Sequence, residues 1–207
     1  MMTSTADQNQ NPPSWYRGWV QGKTRIVLAW IFAFALGFTA REYPTWPGVL
    51  LCFLGAALRF WASGFLRKDS RPAVGGPYAW VRNPLYLGTY FMALGVAWSI
   101  ENWVLLGVMS VVFVAIYHFI ILDEETKLKR IFGEPYVVYC AHVSRFFPKI
   151  LPPMTPDASV RRQINPDAQH QHFSFELAMK NKAHEAFLSF FGLIAFVAVM
   201  AYFWKQY

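Results

Sequence analysis

Five apolar stretches, at 26–40, 48–66, 85–100, 103–122 and 186–204, constrain this chain more than any other feature. A helix needs roughly 17–25 residues to cross a bilayer. The stretches at 48–66, 103–122 and 186–204 reach that length. Those at 26–40 and 85–100 are shorter, although Thr24, Arg25 and Arg41 flank the first and long basic side chains can snorkel. One run of this kind fits a buried helix of a soluble domain. Five in 207 residues do not, and only 15% of the chain is charged against roughly 25% in soluble domains. The expected fold is an all-α integral membrane protein of about five transmembrane helices in a single domain.

The basic residues sort by side. All but three of the 19 Lys and Arg fall before the first stretch, between the second and third, or between the fourth and fifth. Arg41 and Lys205 lie on the opposite set of connections, and Arg59 lies inside a span. Cytoplasmic loops collect Lys and Arg, so the N-terminus is expected inside and the C-terminus outside. The formal charge of +7 then faces anionic lipid rather than nucleic acid. "MMTSTADQNQNPPS" has no basic n-region, and Phe38 spoils the cleavage site in "GFTARE", so no signal peptide is expected. Cys52 in a span and Cys140 in a connection are not expected to pair, and neither has a partner at metal-ligand spacing.

Residues 1–14 read as a disordered tail, followed by interfacial anchors Trp15, Tyr16 and Trp19. "REYPTWPG" at 41–48 and "SIEN" at 99–102 are tight turns on one side. Residues 67–84 and 123–150 form the polar segments on the other side. In the latter, Leu128, Ile131 and Phe132 keep helical spacing, and a second short helix starts near Pro135. Residues 151–185 are a linker leading to an interfacial amphipathic helix in "FSFELAMKNKAHE".

Three features on the polar side carry possible chemistry. "GGPYAWVRNPLYLG" at 75–88 is a Gly- and Pro-rich hinge between apolar segments. Pro77 and Pro84 remove amide donors, and such backbone persists at membrane depth only where protein or a watery cavity covers it. Tyr78 and Tyr86 add hydroxyls and ring faces. Next, Asp123, Glu124 and Glu125 follow the fourth apolar stretch, which would place three acids at the unfavourable end of a helix dipole. An arrangement of that cost implies a cationic partner. The third feature, "FGEPYVVYCAHVSRFFP", offers Tyr136, Tyr139, His142 and Arg145 on a segment able to fold back over the hinge. Arg59 and His118, ionisable groups within spans, are candidate functional residues by position. His170 and His172 lack a spaced set of further ligands, so no metal site is expected.

In this order the motifs resemble the isoprenylcysteine carboxyl methyltransferase and phospholipid methyltransferase superfamily of membrane enzymes. The matching pieces are Gly76-Pro77-Tyr78, Arg82-Asn83-Pro84-Leu85-Tyr86-Leu87-Gly88, Glu124-Glu125 with Leu128, Phe132-Gly133 with Tyr136 and Tyr139, and Pro148. The resemblance implies S-adenosylmethionine bound in a cytoplasmic pocket lined by Tyr78, Asn83, Pro84, Leu85, Tyr86 and Glu124. A carboxylate and aromatic faces suit the cofactor's sulfonium and ammonium groups. Glu125, His118 and Arg59 are the residues read as catalytic. The acceptor would be a lipophilic molecule or lipid resident in the bilayer, the protein a multi-pass one of the bacterial inner membrane. Two departures bear on the acceptor. Ser70 and Ile120 stand where prenylcysteine enzymes carry a His and a carboxylate-binding Arg. Phospholipid N-methylation is therefore an alternative to carboxyl methylation. NADPH-dependent sterol reductases share a similar hinge, but their chains end soon after the closing Pro. A transporter or assembly subunit would account for the spans but not for the hinge joined to the acids.

Overall fold

The computed structural model describes residues 39–67, 72–149 and 155–206, and these are helical with no strand among them. The expected span at 26–40 and the anchors at 15–19 lie outside the described residues, apart from Thr39 and Ala40.

Helix α1, Trp46–Ser63, starts after Thr45 and carries Pro47 in its first turn, where a missing amide costs no hydrogen bond. A 3-10 turn, Gly76–Ala79, leads to α2, Pro84–Ser99, which opens directly on a proline. Helices α1 and α2 run antiparallel at glycine-to-backbone contact. A Cβ on Gly95 would sit 2.3 Å from the Cys52 amide nitrogen, and one on Gly55 would sit 2.5 Å from the Gly88 carbonyl oxygen. The heptad spacing of Gly48 with Gly55 and of Gly88 with Gly95 lays these gaps along one face of each helix. Membrane helices, which lack a hydrophobic drive toward each other, associate through such small-residue faces.

Helix α3, Trp103–Phe132, is capped by Asn102, whose side chain accepts from the Leu105 amide at 2.9 Å. After it come α4 (Glu134–His142), α5 (Ala158–Ile164), a 3-10 turn (Ala168–His170), α6 (Phe175–Lys180) and α7 (His184–Gln206). Helix α7 closes the apolar core, packing Phe190 and Val197 with Cys52, Ala56, Met92 and Val96.

Helices α1, α3 and α7 are long and apolar enough to cross a membrane. Helix α2 has 16 residues, about 24 Å at 1.5 Å per residue, short of a hydrocarbon core of about 30 Å. Of the four expected spans that fall among the described residues, three are thus long and apolar enough to cross, and the fourth, α2, is shorter. Along α3, Val104, Val108, Val111, Val112 and Val114 are exposed, an apolar face suited to acyl chains. Helix α3 also continues ten residues past the expected end of its span. Asp123, Glu124 and Glu125 lie well inside it, and the unfavourable dipole contact expected for them does not arise.

The connections fall at two ends. At one, the Thr45 amide donates to Ser99 O at 2.8 Å, and Lys205 pairs with Glu42 at 2.7 Å. At the other, the Asn181 side chain donates to Ser63 O (2.9 Å) and Leu66 O (2.7 Å), capping α1 from outside. The hinge, the acids and the fold-back segment all meet at this second end.

Candidate active site

The site is built around two adjacent carboxylates whose side chains leave α3 about 100° apart. Glu124 accepts a hydrogen bond from the Tyr86 hydroxyl at 2.7 Å. Tyr86 stands in the first turn of α2, so this contact joins the start of one apolar helix to the middle of the next. Its ring meets Tyr117 edge-on at 5.2 Å, and Tyr117 stacks on Phe113 at 3.8 Å. Tyr117 and Glu124, seven residues apart, share one face of α3.

Glu125 points elsewhere. Its carboxylate, 4% exposed, takes Arg82 at 3.0 Å and Arg145 at 3.2 Å. Arg82 also donates through Nη1 to Cys140 O, and its backbone amide donates to Ser144 O at 2.8 Å. Beside this contact Val81 and Ser144 form a single parallel bridge. Asn83 Nδ2 donates to Arg145 O at 2.9 Å, and the Tyr139 hydroxyl donates to Tyr78 O at 2.7 Å. The fold-back of 134–149 is thus sewn onto the hinge at Tyr78, Val81, Arg82 and Asn83, through backbone and side chains alike.

Among the hinge residues, Tyr78, Asn83 and Pro84 are buried, and Leu85 and Tyr86 are half-buried. Gly76 has φ +55°, a left-handed backbone that strains any residue with a Cβ, and a Cβ there would also strike the Phe65 ring. Burial pushes the Tyr78 and Tyr139 hydroxyls well above the usual phenol range; the Glu124 carboxylate adds to this at Tyr78, and neighbouring Tyr136 at Tyr139. Both remain neutral hydrogen-bonding groups at physiological pH. The Tyr78 hydroxyl is buried and has no hydrogen-bond partner. An orphaned buried donor costs about 1–3 kcal/mol unless something satisfies it.

Of the other residues singled out in the sequence, Arg59 reaches from α1 to α2, donating to Leu85 O at 3.4 Å and to the Thr89 hydroxyl. His118 is exposed on α3, edge-on to Phe119 and one position off the Tyr117–Glu124 face. The structure brings Tyr86 to Glu124, ties the backbone of Tyr78 and the side chain of Asn83 to the fold-back segment, and sets Arg59 on the Leu85 carbonyl, while His118 lies exposed beside Phe119. Ile120 is half-buried on α3, one turn before Glu124.

Sequence reasoning missed a further set. Gln171 Oε1 accepts from the amides of Val74 (2.9 Å) and Gly75 (3.0 Å), and the buried Asn165 donates to Pro72 O at 3.0 Å. These side chains hold the start of the hinge from a segment nearly one hundred residues later. Nothing in their local spacing signals it, because a lone polar residue in a polar loop looks the same whether it is solvated or buried.

Residues 53–135 match the family model described as phospholipid methyltransferase, within the isoprenylcysteine and phospholipid methyltransferase superfamily. The matched stretch runs from α1 through the hinge and α2 to the start of α4, and so contains Tyr78, Asn83, Tyr86 and both glutamates. No curated protein and no solved structure matches the chain.

Proposed function

We propose that the protein transfers a methyl group from S-adenosylmethionine to a lipid acceptor resident in the bilayer. The observation that carries this is the Tyr86–Glu124 contact of 2.7 Å beside the orphaned Tyr78 hydroxyl, within the family-matched stretch. These groups fit the cofactor's chemistry: a carboxylate and ring faces for its cationic centres, and a free buried hydroxyl for a polar group of its ribose or purine. The cofactor, when bound, supplies an activated methyl on a sulfonium. The chain's task is then to align and dehydrate the reacting groups, which is mainly a matter of positioning.

Glu124, Tyr86, Tyr78 and Asn83 are assigned to binding, with Pro84 and Leu85 shaping the wall. Glu125 is held by two guanidinium groups, one from the hinge and one from the fold-back segment, so its assigned role is to lock the two together. Arg59 fixes α1 to α2 in the same supporting sense. For an amine acceptor, the exposed imidazole of His118 is the proposed proton acceptor.

Ile120 bears on the acceptor. An apolar side chain cannot pair with a prenylcysteine carboxylate, and a charge left unpaired in a partly dry site is costly. The phospholipid methyltransferase match points the same way, so a lipid is the preferred acceptor over prenylcysteine.

The test is titration of the purified full-length chain with S-adenosylhomocysteine and, separately, NADPH, followed by a labelled-methyl assay. The assay offers a farnesylated cysteine analogue beside total membrane lipid extract. Saturable S-adenosylhomocysteine binding with label appearing in lipid is expected. Binding of NADPH alone would overturn the methyltransferase reading, and label confined to the analogue would overturn the lipid one.

A further inference from the structure

A cavity of about 310 Å³ lies between the Gly75–Gly76 loop and the segment 158–171, behind the hinge. Its polar side chains are Arg161, Gln169 and Gln171, and no Asp or Glu lines it. The Gln171 carbonyl oxygen is already committed to the Val74 and Gly75 amides. Arg161 is not committed in this way. Its Nε is buried without a hydrogen-bond partner, and it joins none of the ion pairs among the described residues.

A guanidinium is always charged, and a buried N–H left unpaired costs about 1–3 kcal/mol. With no carboxylate lining the cavity and none paired to Arg161 among the described residues, an anion is the complementary occupant. The planar fork of Arg matches the oxygens of a phosphate group in particular. The depth of the cavity indicates where that phosphate comes from. Its Gly75 and Gly76 lie against the ring of Phe65, two residues past α1, and near that end Trp61, Trp80, Phe173 and Phe175 are all exposed despite their size. Trp61 meets Trp80 at 6.2 Å, and Phe60 bridges Phe173 and Phe175 at 5.9 and 6.0 Å. Exposed aromatics gathered at the end of an apolar helix mark the headgroup level of a bilayer. A phosphate at that level belongs to a lipid.

We infer that this cavity binds the phosphate of a phospholipid headgroup through Arg161. Its polar side chains come from the segment following the family-matched stretch, and it requires no methyl transfer.

The experiment uses the full-length chain in a phosphate-free maltoside detergent. Binding is followed by thermal-unfolding shift and tryptophan fluorescence as three probes are added: a short-chain phosphatidylglycerol, the matching diacylglycerol, and inorganic phosphate. Saturable binding of the phosphatidylglycerol is expected, with none of the diacylglycerol. Arg161→Gln should weaken it roughly tenfold or more, the scale of one charge-assisted bidentate contact. Arg162→Gln, at an exposed neighbour, should leave it unchanged. Ala158→Phe, which fills the cavity and keeps the charge, should weaken it too and guards against a folding defect in the Arg161 variant. Equal binding by Arg161→Gln, equal binding of diacylglycerol, or no saturable binding would overturn the proposal. Inorganic phosphate acting at the same concentrations as the lipid would reject the headgroup as the source. No methyl donor is present, so failure here is separate from failure of the methyltransferase reading.

Discussion

Arg82 and Glu125 meet at 3.0 Å with side chains 8% and 4% exposed, one from the hinge and one from the middle of α3. Arg145 completes the group from the fold-back segment. Three stretches far apart in sequence are thereby fixed by one carboxylate. Breaking a buried pair leaves an uncompensated charge, which costs about 3–5 kcal/mol. Glu125→Ala should therefore lower the thermal midpoint sharply, and Glu125→Gln, which keeps hydrogen bonding without charge, should fall between. A midpoint unchanged in both variants would remove Glu125 from its assigned role.

Glu124 should behave differently, because its one described partner is a tyrosine hydroxyl. Glu124→Ala is expected to weaken S-adenosylhomocysteine binding by tenfold or more, roughly the 1.4 kcal/mol and upward of a lost charged contact, with a smaller loss of stability than Glu125→Ala. Tyr86→Phe keeps the ring and loses one hydrogen bond of about 0.5–1.5 kcal/mol. Isothermal titration on the two variants checks both, and equal affinities in Glu124→Ala and the parent would refute the assignment.

Gln171 tests whether the late segment positions the hinge. Gln171→Ala should speed hydrogen exchange at the Val74 and Gly75 amides and raise the dissociation constant for S-adenosylhomocysteine. Gln171→Glu retains an acceptor for both amides and should restore slow exchange. If neither variant alters exchange at these two amides, the clasp carries no weight.

The α1–α2 interface offers a paired comparison. Gly95→Val places a Cβ 2.3 Å from the Cys52 amide nitrogen, a backbone atom that cannot swing aside, so the helices must separate. A loss of about 1–3 kcal/mol or more is expected from overpacking. Gly107→Ala on α3 meets nothing within 4 Å and should be neutral or slightly stabilising through helix propensity. Unfolding midpoints of the two variants in the same detergent decide the point.

The buried hydroxyls predict an alkaline limit. Burial raises Tyr78, Tyr136 and Tyr139 above the ordinary phenol value. The folded chain holds those protons at a pH where the unfolded chain, with tyrosines near 10, releases them. Their contribution is therefore fully present below about pH 10 and is lost as pH rises toward the folded values. Tyr139→Phe should flatten that decline while losing the bond to Tyr78 O. Unfolding measured from pH 8 to 11 would show it.

The apolar runs at 48–66, 103–122 and 186–204 were enough to place α1, α7 and the start of α3 to within a few residues, because burial in lipid acts on every residue of a span. The order of hinge, acids and fold-back segment was equally legible, being a local pattern of Gly, Pro, Tyr and Glu. Pro135 marked the start of α4 for the same local reason. The end of α3 was misjudged, because helix continues through polar residues once tertiary contacts such as Arg82–Glu125 stabilise them. Sequence set both Glu124 and Glu125 at the site, one in the pocket and one as catalytic, whereas a helical step of about 100° sends one to Tyr86 and the other to two arginines. Gln171, Asn165 and Asn181 acquired their roles only in three dimensions. A lone polar side chain takes its meaning from what is folded against it, and here those partners lie in the hinge and at the end of α1.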